Sequence, residues 1–201
     1  MPLGRQSAMP ITQTKTAKPT RFRQATVTTA TVILLALAAF LGIHYASRMA
    51  GDAIIHLCIM ERSARGQWFQ FNNGLAEASS TSILWTILGA ALMRLGGVTA
   101  AVIGIKVIGY AAWGGIGLLC YALARHLGAA RDSARLGGAI AIAMPGTAMN
   151  ALMGMENGFF AFLVLTALLV QAMSVTRSKA VLTDMERGSR SVKTIRAHRY
   201  S

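Results

Sequence analysis

The feature that most constrains this chain is a run of twenty mostly apolar residues, 26–45, that contains no Asp, Glu, Lys or Arg. A helix crosses the hydrocarbon core of a bilayer with about 20 such residues. Three further apolar segments, at residues 98–123, 136–153 and 159–175, are long enough to do the same. We therefore predict an all-α fold, a polytopic membrane helical bundle with about four transmembrane helices.

The overall composition excludes a water-soluble globular domain. Apolar residues make up 54% of the chain and charged residues 13%, against about 25% charged residues in a typical soluble domain. The mean hydropathy is +0.48. The two cysteines, Cys58 and Cys120, have no paired spacing, so neither a disulfide framework nor a metal site is predicted.

The distribution of basic residues predicts how the chain is oriented. Residues 81–95 are apolar but too short for an ordinary span, and they fall in the length range of re-entrant or interfacial segments. Cytoplasmic loops of membrane proteins carry the excess of Lys and Arg. If 81–95 does not cross, the basic N-terminus, the turn at 124–135 and the basic tail all lie on the cytoplasmic side. We therefore predict four spans plus interfacial helices in the first extracytoplasmic loop, residues 46–97.

These boundaries define three regions. Residues 1–25 form a basic cytoplasmic tail, and the first span after it is predicted to act as an uncleaved signal anchor. Residues 26–175 form the transmembrane domain, in which Pro145 is expected to kink the third span and glycines to let helices approach closely. Residues 176–201 form a second basic tail, predicted to be disordered or to lie on anionic headgroups. The predicted location is the plasma (inner) membrane, multi-pass, with both termini cytoplasmic. Because this topology accounts for the basic ends, no nucleic-acid partner is predicted.

Two candidate site residues, Asp52 and His56, follow the first span. Asp52 precedes apolar residues at the spacing of an amphipathic surface helix. A carboxylate at the lipid–water boundary could act as a general base, or it could simply cap the helix. His56 lies four residues later on the same helix face, where the pair could relay a proton or bind a metal, or where His56 could be solvated.

Three more residues are candidates for substrate binding. Lys106 lies inside the second span, where a charge could neutralise a lipid phosphate or could extend to the interface. Glu156 lies between the third and fourth spans and is either a polar site residue or an acid favoured at a helix start. Trp85 could stack on a sugar or belong to the interfacial aromatic belt.

The order of these features resembles the GT-C superfamily, in particular bacterial membrane glycosyltransferases of the arabinofuranosyl-, mannosyl- and galacturonosyltransferase-like branch. The resemblance covers about residues 30–175 and corresponds to the N-terminal part of such enzymes. It is carried by DAIIHL at 52–57, Gly66, FNNG at 71–74, SSTSILW at 79–85 and GME at 154–156.

This resemblance implies an activity. Members transfer a sugar from a polyprenyl-phosphate donor to an envelope glycan or glycolipid on the extracytoplasmic face. Asp52 matches the acidic position of the motif and would be the catalytic base. Lys106 would be a phosphate partner, and His56, Glu156 and Trp85 would contact substrate. The expected partners are the lipid-linked donor and membrane lipid. The resemblance names no certain cofactor and leaves a divalent cation open.

Departures from the family pattern keep other hypotheses open. The family usually has two adjacent acids where this chain has Gly51 and Asp52, and its members are longer. The chain could therefore be a catalytically inactive fragment or subunit, or a half that a partner subunit completes. A small transporter using Lys106 and Glu156 is the third hypothesis, although such a protein predicts paired repeats, which the sequence does not show.

Overall fold

The structure, a computed structural model, describes residues 21–68, 70 and 82–198. The prediction of an all-α fold is confirmed for this part of the chain, which contains helices and no strand. The helices are α1 Arg21–Ala46, α2 Gly51–Ala64, α3 Ile83–His126, α4 Arg131–Ala143, α5 Pro145–Leu152 and α6 Asn157–His198.

Three stretches of helix are long and apolar enough to cross a membrane: Gln24–Ala46, Ile83–His126 and Asn157–Ser178. Their outer surfaces are apolar too, as at Ile43 of α1, which is 78% exposed. Exposed apolar side chains of this density suit a hydrocarbon surrounding rather than water. The three stretches contain the predicted spans at 26–45, 98–123 and 159–175.

The longest helix, α3, is divided at Gly96 and Gly97. Gly97 has φ 71° and ψ −166°, a conformation that residues with a side chain rarely adopt. The break leaves a first arm, residues 83–95, and a second arm, residues 98–126. Leu92 of the first arm packs so closely on Gly104 of the second that a Cβ there would lie 2.6 Å from it. These residues would lie about 18 Å apart in a straight helix, so the arms fold back on each other. The sequence prediction that 81–95 is separate from the following span agrees with this break.

The third predicted span, residues 136–153, is not one continuous helix. It is divided between α4 and α5 at Met144, whose φ of −70° and ψ of 122° are extended. Pro145 forces this conformation on the residue before it, and it then occupies the first turn of α5. The expected kink is therefore a full interruption, and neither piece alone has the length of a span.

Four rods lie side by side and alternate in direction: α1, the second arm of α3, α4 with α5, and α6. One end of this bundle, the polar end, holds the C-terminus of α1, Lys106, the C-terminus of α5 and Glu156, which are linked by contacts described below. The opposite end, the basic end, holds the turn at 125–131. There Nε2 of His126 lies 3.0 Å from Oγ1 of Thr176 in α6.

Glycines set the distance between the rods. A Cβ on Gly109 would overlap the carbonyl oxygen of Ala151, and one on Gly117 would lie 2.7 Å from Cγ2 of Ile142. The backbones of α3 and of α4–α5 can therefore approach closely along their length, as the glycine content of the second span predicts.

The last helix, α6, continues into the basic tail as far as His198. Its apolar part ends near Ser178. The N-terminal tail lies outside the described residues up to position 20.

Candidate functional site

The start of α2 packs against the turn between α5 and α6. The backbone N–H of Ala50 donates a 2.9 Å hydrogen bond to the carbonyl of Met153. Gly154, with φ 84°, lies so close to Met49 and Ala53 that a Cβ there would lie 2.7 Å from Met49 Cε. The two regions that carry the DAIIHL and GME sequences, a hundred residues apart, are therefore in direct contact.

Asp52 lies in the first turn of α2 and its side chain is exposed. The helix has no side-chain cap at Ala50, and an acid in the first turn interacts favourably with the helix dipole. No ion pair involving Asp52 occurs among the described residues. The carboxylate is thus accessible from the polar end of the bundle, and no cation of the described residues pairs with it.

His56 and Glu156 form a buried pair. Nε2 of His56 lies 3.2 Å from Oε2 of Glu156, and both side chains are only 10% exposed. The contact is at ion-pair distance but lacks aligned hydrogen-bond geometry, and Nδ1 of His56 has no hydrogen-bond partner in the part of the chain that the structure describes. His56 is therefore not the solvated histidine that its position beside Asp52 allowed, because Glu156 in the turn before α6 covers it.

Lys106 is surrounded by backbone carbonyls. Its Nζ donates hydrogen bonds to the carbonyl oxygens of Tyr45 at 3.0 Å and Leu152 at 2.6 Å, and also to that of Arg48. These groups end α1, end α5 and precede α2, so one side chain joins three segments. A lysine has three N–H donors, and the C-termini of helices favour a cation. Every donor of Lys106 is thus used within the protein.

The predicted sugar-stacking role of Trp85 is corrected by its burial. Its side chain is 1% exposed and packs with Met60, Ile105 and Phe159, whose ring centroid lies 5.8 Å from its own. An indole enclosed on both faces cannot stack on a sugar. Trp85 is instead a core residue that holds α2 against both arms of α3.

Buried polar atoms without hydrogen-bond partners concentrate around α2. Such atoms are uncommon because leaving them unpaired costs about 1–3 kcal/mol each. Apart from the pair described above, they are Arg62 Nη1, Ser63 Oγ and Trp85 Nε1. This part of the protein therefore offers hydrogen-bonding groups that its own described residues do not use.

The sequence predicted Asp52, His56, Lys106 and Glu156 as candidate site residues, and all four lie at the polar end of the structure. The sequence spacing suggested that His56 pairs with Asp52, whereas in the structure His56 pairs with Glu156. No spacing rule could have found that pair, since it depends on how α5 and α6 return to α2. The motif residues 71–74 and 79–81 lie outside the described residues.

The described residues contain no group of three or more His, Cys, Asp or Glu side chains that could hold a metal ion. Comparisons with protein-family models, with curated proteins and with solved structures find no match for this chain. Any functional assignment therefore depends on the site residues themselves.

Proposed function

We propose that this protein is a multi-pass membrane glycosyltransferase that transfers a sugar from a polyprenyl-phosphate donor to an envelope glycan or glycolipid. The observation that carries the proposal is the buried contact between His56 and Glu156. This contact brings the DAIIHL and GME sequences together at the polar end. Both sequences are among the motifs on which the resemblance to the GT-C superfamily depends.

The unpaired polar atoms around α2 support a polar ligand there. A sugar phosphate is rich in hydrogen-bond donors and acceptors, and it could satisfy groups such as Nδ1 of His56 that are otherwise unpaired. Purely structural packing would favour apolar side chains at these positions.

The proposed topology has four crossings: α1, the second arm of α3, α4 with α5, and α6. The alternating direction of the rods then places the polar end on one side of the membrane and the basic end on the other. The turn at the basic end and the start of α4 together contain Arg125, Arg131 and Arg135 against Asp132, which favours the cytoplasmic side. Asp52 would consequently face the extracytoplasmic side at headgroup depth.

Asp52 is the proposed general base. Its carboxylate accepts the proton of the acceptor hydroxyl as that oxygen attacks the anomeric carbon of the donor sugar. The bond between the anomeric carbon and the phosphate oxygen breaks, and the polyprenyl phosphate leaves with the bonding electrons. The new glycosidic bond forms with inversion. His56 and Glu156 are positioning residues that hold α2 against the turn between α5 and α6.

A catalytically inactive membrane subunit is the second candidate, and the arrangement of Lys106 favours it. All three donors of Lys106 bind carbonyl oxygens, so the side chain would have to release at least one of them to meet a donor phosphate. In an inactive subunit it would serve only to hold the helices together.

The test is transfer by the purified protein in liposomes that contain polyprenyl-phosphate-linked arabinose, mannose or galacturonic acid, with envelope extract as acceptor. We expect transfer of one sugar by the wild type and a loss of at least about a hundredfold in Asp52→Asn, the usual effect of removing a general base. Glu61→Gln is the matched control, because Glu61 is an acid on the same helix that pairs with Arg65. Equal activity of Asp52→Asn and the wild type would reject Asp52 as the base, and no transfer by the wild type would favour the inactive subunit.

A further inference from the structure

A second site lies near the basic end, away from Asp52. An open groove of about 340 Å³ runs between α1 and the second arm of α3, with α4 as its floor. Its walls include Leu35 of α1 and Leu118 of α3, the latter 72% exposed, and its floor includes Ile142. The groove exists because small residues stand where the helices would otherwise fill it: Gly114, Gly117, Gly138 and Ala139.

The groove is apolar along its length and cationic at one mouth. Arg135 lines it one turn into α4, beside the turn that carries Arg125 and Arg131. The only polar interaction of Arg135 among the described residues is an exposed contact in which Nη1 lies 3.6 Å from Oδ1 of Asp132. From Arg135 to Ile142 the floor of the groove extends for about 10 Å of helix.

A phospholipid has a matching arrangement, with a charged group at one end and an apolar chain along the rest of its length. Its charged headgroup lies at the membrane surface and its acyl chain extends toward the midplane. Arg135 lies at the end of the bundle where basic residues outnumber acids, and the apolar part of the groove extends from there toward the middle of the rods. A zwitterionic lipid would bring no net charge to meet this arginine, whereas an anionic lipid would.

We propose that this groove binds one anionic phospholipid, with an acyl chain between α1 and α3 and the phosphate at Arg135. The guanidinium can donate two parallel hydrogen bonds to phosphate oxygens. The site needs the bundle to lie in a membrane, but it needs no transferase activity. Binding here would brace α1 against α3 at a point where their backbones are held apart.

Two glycines provide a matched pair of variants. A Cβ on either Gly114 or Gly137 would meet no atom within 4 Å, so both positions have open space beside the backbone. Gly114 lines the groove, whereas Gly137 lies on α4 without lining it. Gly114→Leu therefore fills the groove, and Gly137→Leu adds the same side chain elsewhere. Arg135→Gln removes the cation at the mouth, and Arg131→Gln removes one that does not line the groove.

The experiment purifies each variant in neutral-detergent micelles that contain equal amounts of phosphatidylglycerol and phosphatidylcholine. Lipid that remains bound per protein is counted by mass spectrometry after washing. We expect the wild type to retain one phospholipid, with phosphatidylglycerol favoured about fivefold, the attraction expected of one basic side chain near an anionic lipid. Arg135→Gln should lose the preference but keep chain binding, and Gly114→Leu should lose the bound lipid.

The controls Gly137→Leu and Arg131→Gln should match the wild type. Equal retention of the two lipids by the wild type, or retention of the lipid by Gly114→Leu, would overturn the proposal. A bound second copy of the chain, detected as a dimer that Gly114→Leu converts to a monomer, would assign the groove to a protein contact instead. Transfer activity is not a readout in this experiment, so its outcome is separate from that of the proposed function.

Discussion

The arrangement of Lys106 leads to a measurable prediction about stability. Its Nζ donates hydrogen bonds to the carbonyls of Tyr45, Arg48 and Leu152. Lys106→Met keeps the length and apolar stem of the side chain but removes all three donors. The carbonyls at the ends of α1 and α5 then lose the group that joins them.

The expected loss follows from the number of bonds. A net contribution of about 1 kcal/mol for each hydrogen bond gives about 3 kcal/mol for the three. We use this lower value rather than the 1.5–3 kcal/mol of bonds to charged groups, because Lys106 is half-buried and water can replace part of the interaction. The desolvation of the amino group, which Met avoids, offsets a further part.

The assay is unfolding in mixed micelles by an increasing fraction of dodecyl sulfate, followed by far-ultraviolet circular dichroism. Ile103→Met serves as the control, since Ile103 lies one turn away on the same helix and its side chain is 58% exposed. We expect the free energy of unfolding to fall by up to about 3 kcal/mol in Lys106→Met and to change little in Ile103→Met. If Lys106→Met unfolds like the control, the three hydrogen bonds contribute nothing, and Lys106 is free to serve as the phosphate partner that the family resemblance implies.

Four further measurements test the fold and the site. Gly97→Ala should destabilise the protein by at least about 1 kcal/mol because φ of 71° strains a residue with a Cβ, measured in the same unfolding assay. Gly109→Ala should destabilise it by about 1–3 kcal/mol, since its Cβ would overlap the carbonyl of Ala151. A double-mutant cycle on His56→Gln and Glu156→Gln should give a coupling of at least about 0.5 kcal/mol, and additivity would show that the buried pair contributes no stability. A reporter fused after Ser201 should be active only in the cytoplasm, and a periplasmic signal would reject the four-crossing topology.

Much of the helical organisation follows from local sequence. Apolar runs predicted the three stretches that are long enough to cross a membrane, and Pro145 predicted a kink at the place where the chain is interrupted between α4 and α5. The short length of the apolar run at 81–95 also predicted its separation from the following span. These features depend on neighbouring residues alone, through side-chain hydropathy and backbone φ and ψ.

The candidate site was predictable only in part. Asp52, His56, Lys106 and Glu156 are polar residues in or beside apolar segments, and that contrast alone made them candidates. Trp85 was misjudged, because an aromatic residue near an interface has the same sequence pattern whether its ring is exposed or enclosed. Its burial depends on Met60 and Phe159, which come from other helices.

By itself, the sequence determined that this chain forms apolar helices with basic ends, since hydropathy and charge act over one helix length. Only the tertiary structure decided that His56 meets Glu156 and that Lys106 binds three carbonyls. Those contacts join residues that lie 46 to 100 positions apart. They depend on the glycines that let α3 and α4–α5 approach and on the turns that return each rod to the polar end. Such contacts arise from the packing of the whole bundle, so no local pattern encodes them.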